Sequence, residues 1–268
     1  MTRDRGGEAV GMNGNFVYRT PKLSQFFSAH RRTWDQFYES ERWVFERIIA
    51  QGGFGHVLDV GCAAGGLGAA LAERDALLSY SGVDINDEAI AAARRLRSAQ
   101  PSRFFCGDVI ELGDFGRPAF DTVFSLSCAD WNVETRRILE RCWSLVAAGG
   151  RFVLSLRLSP GRSLLDAAES YQYLAFDEAA TGAEERAPYV VFNAADALRT
   201  LVGLVPAPAH VLGYGYWGTP SPSARTPVER LVFAVFAVTK RGADERGGMA
   251  HLDLRLPHDV WGEPAMPL

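Results

Sequence analysis

Three aspartates occupy comparable places along one stretch of this chain. Asp59 lies inside VLDVGCAAGG (57–66), Asp84 ends the run SGVD before Ile85 and Asn86, and Asp108 lies in CGDV (106–109). Each closes an apolar, strand-like run, and the first is followed at once by Gly61, Gly65 and Gly66. A glycine-rich turn between a strand and its helix lets a ligand approach the backbone beside the helix N-terminus. The carboxylate decides which ligand. At the strand tip it repels a pyrophosphate and attracts an ammonium or sulfonium centre. Asp84, about 20 residues past the turn, is placed to accept hydrogen bonds from two ribose hydroxyls. Asp108 is placed to accept from an exocyclic adenine amine. The implied guest is a positively charged nucleoside without phosphate.

Competing uses of the turn fit less well. No Gly-Lys-Ser/Thr follows, so this is not a P-loop. A dinucleotide fingerprint wants its second glycine where Ala63 stands. Each acid alone could cap a helix or a turn; three at successive strand ends behind one glycine turn form a pattern. The net charge of −4 and pI near 5.8 offer no general attraction for phosphate backbones or anionic lipid, so neither nucleic acid nor membrane is expected as a partner. No apolar run reaches the about 18 residues of a membrane span, and the start has no signal-peptide core. Cys62, Cys106, Cys128 and Cys142 form no CxxC pair, which argues against a zinc site or a disulfide framework and for a reducing, cytoplasmic setting.

The elements that must position the acids alternate. Strand-like runs cover 56–60, 78–85, 102–109, 120–127 and 151–156, with helix-like stretches at 66–74, 87–99 and 133–147 between them. Asn86 and Asn193 offer N-cap chemistry for helices beginning at 87 and 194. The pattern is α/β: a doubly wound, mostly parallel sheet. Residues 210–217 and 230–239 read as an antiparallel pair at one sheet edge, and HLDLRL (251–256) alternates like a short strand. The expected organisation is a tail and aromatic helical lid over 1–52, a main domain over 53–240 with an insertion at about 158–192, and a tail over 241–268.

With these pieces in order, the chain resembles the class I S-adenosylmethionine-dependent methyltransferases, well over about 55–158 and through the edge pair to 240. The resemblance implies a Rossmann-like sheet of seven strands with an antiparallel edge strand and S-adenosylmethionine as cofactor. It assigns Asp59, Gly61, Cys62, Ala63 and Gly65 to the methionine portion, Asp84 and Ile85 to the ribose, and Asp108 and Val109 to the adenine. Ser125, Leu126 and Ser127 would flank the methyl group. It implies methyl transfer to an oxygen or nitrogen of a small-molecule acceptor, in which a natural product, sugar or aromatic metabolite all remain open. His30 and Asp130 are the leading catalytic candidates, with Tyr38 and His210 behind them. A catechol-type metal mechanism would need an Asp-Asn pair after strand five; LRLSPGRS (156–163) supplies none, so no metal is expected. Tyr171, Tyr173, Tyr214 and Tyr216 suggest a ring-shaped guest. Two rival readings stand beside this one: an NAD-dependent oxidoreductase, which Asp59 and Ala63 disfavour, and a non-catalytic protein holding the same cofactor. The oligomeric state is open, a homodimer included.

Overall fold

The computed structural model describes residues 30–74, 76–96, 100–174, 185–245 and 247–262. The expected N-terminal tail, the start of the aromatic stretch (22–29) and the acidic centre of the insertion (175–184) lie outside the described residues. A short 3₁₀ turn, Trp34–Gln36, leads into α1 (Glu39–Ile49). The alternating core follows: β1 (Gly55–Val60), α2 (Gly66–Ala72), β2 (Leu77–Asp84), α3 (Asp87–Arg95), β3 (Ser102–Cys106), β4 (Phe120–Ser125), a 3₁₀ turn Ala129–Trp131, α4 (Thr135–Ser144) and β5 (Val146–Ser159). Then come β6 (Tyr171–Tyr173), β7 (Arg186–Pro188), β8 (Phe192–Asn193), α5 (Ala194–Val202), β9 (Pro208–Gly218), β10 (Ala224–Arg225), β11 (Leu231–Lys240) and β12 (His251–Arg255).

The helix starts follow local chemistry. Asn86 Oδ1 accepts from Ala89 N at 2.8 Å and Asn193 Oδ1 from Asp196 N at 3.1 Å, capping α3 and α5 as their sequences predict. α1 begins differently: its own Glu41, fully buried, accepts from Tyr38 N at 2.8 Å.

The main sheet runs β12-β9-β11-β5-β4-β1-β2-β3, with β8 added beside β5. β3, β2, β1, β4 and β5 are mutually parallel, while β11 is antiparallel to both β5 and β9. Two expectations are thereby corrected. Among the described residues the sheet has nine strands rather than seven, and the antiparallel strand is interior, inserted between β5 and β9. The ninth-strand count includes β12, built from the segment read as a tail; its alternating side chains let it pair in parallel with β9, His251 opposite His210. The insertion contributes β6 and β7, which form a separate small sheet with β10 from the connection between β9 and β11, in the order β10-β6-β7.

Alternation along the strands divides the core into two layers. Leu58, Val123, Phe152 and Leu154 face α4 and α5 in one cluster, with Trp143 and Leu201. Val57, Phe124 and Val153 face the other way, with Leu67 and Leu71 of α2 and Val44, Phe45 and Ile48 of α1. α1 is therefore a core layer, not only a roof over the site. Among the described residues no helix is long and apolar enough to cross a membrane.

Phe45 is the clearest link between α1 and the sheet. It is fully buried, and its ring centroid lies 5.8 Å from Phe37, 5.8 Å from Phe54 and 5.6 Å from Phe124. Phe45→Ala is expected to cost about 3–5 kcal/mol of unfolding free energy, read by urea denaturation. A loss below about 1 kcal/mol would show α1 to be a detachable cover.

Candidate functional site

The tips of β1, β2 and β3 are stitched together by backbone bonds around a single cleft. Gly61 N and Cys62 N both donate to Val83 O, at 2.9 and 3.1 Å, and Gly107 N donates to Asp84 O at 2.9 Å. The Asp84 carboxylate closes the network: Oδ2 accepts from Ala63 N and Oδ1 from Asn86 N, each at 2.9 Å. Ala63 stands at φ 45, the left-handed region that costs a non-glycine residue about 1–2 kcal/mol. The bond to Asp84 holds it there, and the departure from glycine leaves the turn intact.

The cleft is lined by His30, Asp59, Gly61, Cys62, Ala63, Asp84, Ile85, Asp108, Val109, Leu126 and Ser127, all singled out from the sequence. Four others are placed elsewhere. Gly65, at φ 78, makes the turn by donating to Cys62 O at 2.8 Å, and a Cβ there would lie 3.0 Å from Phe104. Ser125 is wholly buried in β4 and does not reach the cleft. Asp130, expected as a catalytic group, is 3% exposed and points at Arg157, Nε to Oδ2 2.9 Å. A carboxylate held in a buried ion pair is not available as a base at the cleft. His210 lies on β9 against His251, with ring centroids 5.1 Å apart, and does not line the cleft.

Electrostatics centre on Asp59. Tyr80 donates its hydroxyl to Asp59 Oδ2 at 2.5 Å, and both residues are buried. Burial pushes the Asp59 carboxyl up to about 7, against the opposing pull of the Tyr80 hydroxyl and the Arg31 guanidinium, while Asp84 and Glu41 add to the rise. Burial also raises Asp84, opposed by the backbone N–H groups of Asn86 and Ala63. Burial first, then the charges of Asp84 and Asp59, pushes the Cys62 thiol far up, which makes it an inert wall atom rather than a nucleophile.

Arg31 is the principal lining residue that sequence reasoning passed over. HRR (30–32) reads as a short basic patch, and nothing local says that its middle residue turns inward. In the structure Arg31 Nη2 pairs with Glu41 Oε1 at 2.6 Å, and its guanidinium lies 4.8 Å from the Phe37 ring centroid. Burial alone would lower it; Glu41 holds it above its ordinary value. Trp131, Asn132 and Ile138 complete the wall, from the turn after β4 and from α4.

Residues 58–152 match a protein family described as a methyltransferase domain. The ubiquinone biosynthesis O-methyltransferase of Idiomarina loihiensis is 29% identical over 145 residues, covering 50% of this chain and 59% of that protein. The protein of the same name from Coxiella burnetii is 28% identical over 116 residues, covering 42% and 47%. The chain thus spans about half the length of the curated relatives it matches. Among solved structures, the plantazolicin methyltransferase BpumL, in complex with a monoazolic desmethylPZN analog and SAH, has a TM-score of 0.52 at 15% identity, covering 82% of this chain and 90% of that one. At that identity the likeness concerns the fold. The three acids and the glycine turn all lie within the 58–152 stretch that matches the methyltransferase domain.

Proposed function

We propose that the protein transfers a methyl group from S-adenosylmethionine to an oxygen of a small molecule. The observation that carries this reading is the single cleft shared by Asp59, Asp84 and Asp108 at three neighbouring strand tips. The lining fits the cofactor. Each Asp84 oxygen accepts one backbone N–H and keeps a lone pair, so the pair of oxygens can take a ribose diol. Ile85 and Val109 supply apolar walls for a flat base beside Asp108. Asp59 would hold the ammonium of the methionine portion, and Arg31, in the same lining, would be the cation for its carboxylate. When bound, the cofactor supplies an electrophilic methyl on a sulfonium centre.

The chain's own residues then orient and protect. Leu126, Ser127 and Trp131 bound the side of the cleft after β4, where an acceptor meets the methyl group, and alignment within about 3–3.5 Å provides much of the acceleration. His30 reaches the same cleft from the N-terminal segment and is the candidate for the acceptor's proton. Oxygen is preferred over nitrogen because the curated relatives carry O-methyltransferase names. The acceptor is a small molecule rather than nucleic acid, in keeping with the acidic pI. Titration calorimetry with S-adenosylhomocysteine and with NAD, followed by labelled-methyl transfer to a panel of phenols, alcohols and amines, tests the reading. Binding of NAD alone would overturn it, and so would cofactor binding without transfer to any member of the panel.

Two outcomes are expected of the site. In the free protein Asp59 holds its proton more firmly than an unfolded carboxyl, so its contribution to stability is full below about 4 and is lost as pH rises to about 7. The bound ammonium favours the opposite, ionised form. S-Adenosylhomocysteine affinity should therefore fall by up to about tenfold from pH 7 to 6, and Asp59→Asn should flatten that slope. His30→Ala should lower kcat by roughly 10²–10⁴-fold while the affinity for S-adenosylhomocysteine stays within about threefold. Unchanged turnover would remove His30 from the chemistry.

A further inference from the structure

The cleft sets three acids against one permanent cation. Asp59, Asp84 and Asp108 line it, and among the described lining residues Arg31 alone carries a fixed positive charge. Two acids compete for that charge. Glu41, in the first turn of α1, holds it directly, with Arg31 Nη2 donating to Glu41 Oε1 at 2.6 Å. Asp59, at the tip of β1, is drawn to the same guanidinium through charge rather than a hydrogen bond.

Arg31 reaches this place against local preference. Its backbone stands at φ 59, a left-handed conformation that is strained for a residue with a Cβ. The compensation lies inward. Its guanidinium carbon is 4.8 Å from the Phe37 ring centroid and 5.6 Å from that of Tyr38, and Glu41 takes its N–H. Glu41 is itself fixed. It is fully buried, does not line the cleft, and accepts from Tyr38 N at 2.8 Å through its second oxygen. The two Glu41 oxygens thus tie the N-terminal segment to the start of α1. A guanidinium has five N–H donors, so one bond to Glu41 lets the same cation also serve a ligand carboxylate. A guanidinium that turned to Asp59 instead would neutralise the acid that the ligand's ammonium needs.

We infer that Glu41 is a positioning residue for the methionine end of the cofactor: by holding the Arg31 guanidinium, it leaves Asp59 for the ammonium and presents Arg31 to the carboxylate. The inference rests on the methyl-transfer reading and deepens it. Glu41 acts through Arg31 and touches no ligand atom.

Calorimetry at pH 8 compares S-adenosylhomocysteine with 5′-methylthioadenosine, which shares the nucleoside and the sulfur but has neither ammonium nor carboxylate. Glu41→Gln should weaken S-adenosylhomocysteine by about tenfold or more and leave 5′-methylthioadenosine within about threefold. In an Arg31→Met background the same substitution should change S-adenosylhomocysteine affinity by less than about threefold, because the cation it controls is gone. The pH profile adds a readout that lost packing does not move. Asp59 is faced by Tyr80 and Asp84 from β2, Arg31 from the N-terminal segment, Glu41 from α1 and the thiols of Cys62 and Cys128, with His30 and Asp108 elsewhere on the lining. With the carboxylate at position 41 gone, Arg31 turns to Asp59 and keeps it ionised, so the fall in S-adenosylhomocysteine affinity from pH 7 to 6 should flatten. Glu41→Asp, which keeps the charge but withdraws it by one methylene, should show the same selective loss and serves if Glu41→Gln does not fold. Equal losses for the two ligands overturn the inference, as does an undiminished loss in the Arg31→Met background or a pH slope equal to that of the unaltered protein. Unchanged S-adenosylhomocysteine affinity in folded Glu41→Gln overturns this inference alone; no S-adenosylhomocysteine binding to the unaltered protein overturns the methyl-transfer reading as well.

Discussion

The grip of the Asp84 carboxylate on the backbone at Ala63 and Asn86 organises everything around the cleft. One side chain at the end of β2 fixes the turn after β1 and the start of α3 together. Its burial would be prohibitive without those two N–H donors, because an ionised carboxylate leaves water only for strong replacements. The two donors also explain how alanine is kept at a backbone angle that glycine would adopt without strain. Asp59, bound by the Tyr80 hydroxyl at 2.5 Å, sets a different condition at the neighbouring tip. Burial pushes its carboxyl up to about 7 against that single hydroxyl. Burial raises both acids, and what opposes it differs: backbone N–H groups at Asp84, a hydroxyl and the more distant Arg31 at Asp59.

What could be read from the chain, and what could not, follows from the range over which each interaction acts. The five apolar runs, the caps at Asn86 and Asn193 and the three acids are local patterns, and the structure brings all three acids into one cleft. Arg31 could not be read, because its inward turn depends on Glu41 and on two aromatic rings, each of them an ordinary helix or core residue when seen alone. The burial of Asp130 in an ion pair could not be read for the same reason. Its partner, Arg157, stands 27 positions away on β5, and only the parallel pairing of β4 with β5 brings them together. The interior place of β11 was likewise hidden: two apolar strands joined by a turn announce that they pair, but not which of them lies against the rest of the sheet.

The sheet's far edge shows a further economy. β12 covers β9, and Trp43 of α1 stacks on Tyr214 of β9 at 4.8 Å with the guanidinium of Arg47 3.2 Å from its ring centroid. Arg255 of β12 reaches the same indole at 5.4 Å. One tryptophan thereby ties the first described helix to the last strand across the strand that separates them. Closing an exposed edge with a late segment also removes a template for unwanted strand pairing.

The turn at Arg31 reaches further than its own neighbourhood. Its carbonyl oxygen sits 2.3 Å from where a Cβ on Gly66 would be, so the absence of a side chain at Gly66 is what lets the N-terminal segment lie down on the first residue of α2. Positions 31 and 66 are in this sense one inherited unit. A lineage that replaced the glycine would have to redraw the path of the preceding segment, and with it the side chain that meets Asp59. Divergence among descendants of this fold should therefore come in linked steps at these two places, even though they belong to different elements and different parts of the sequence.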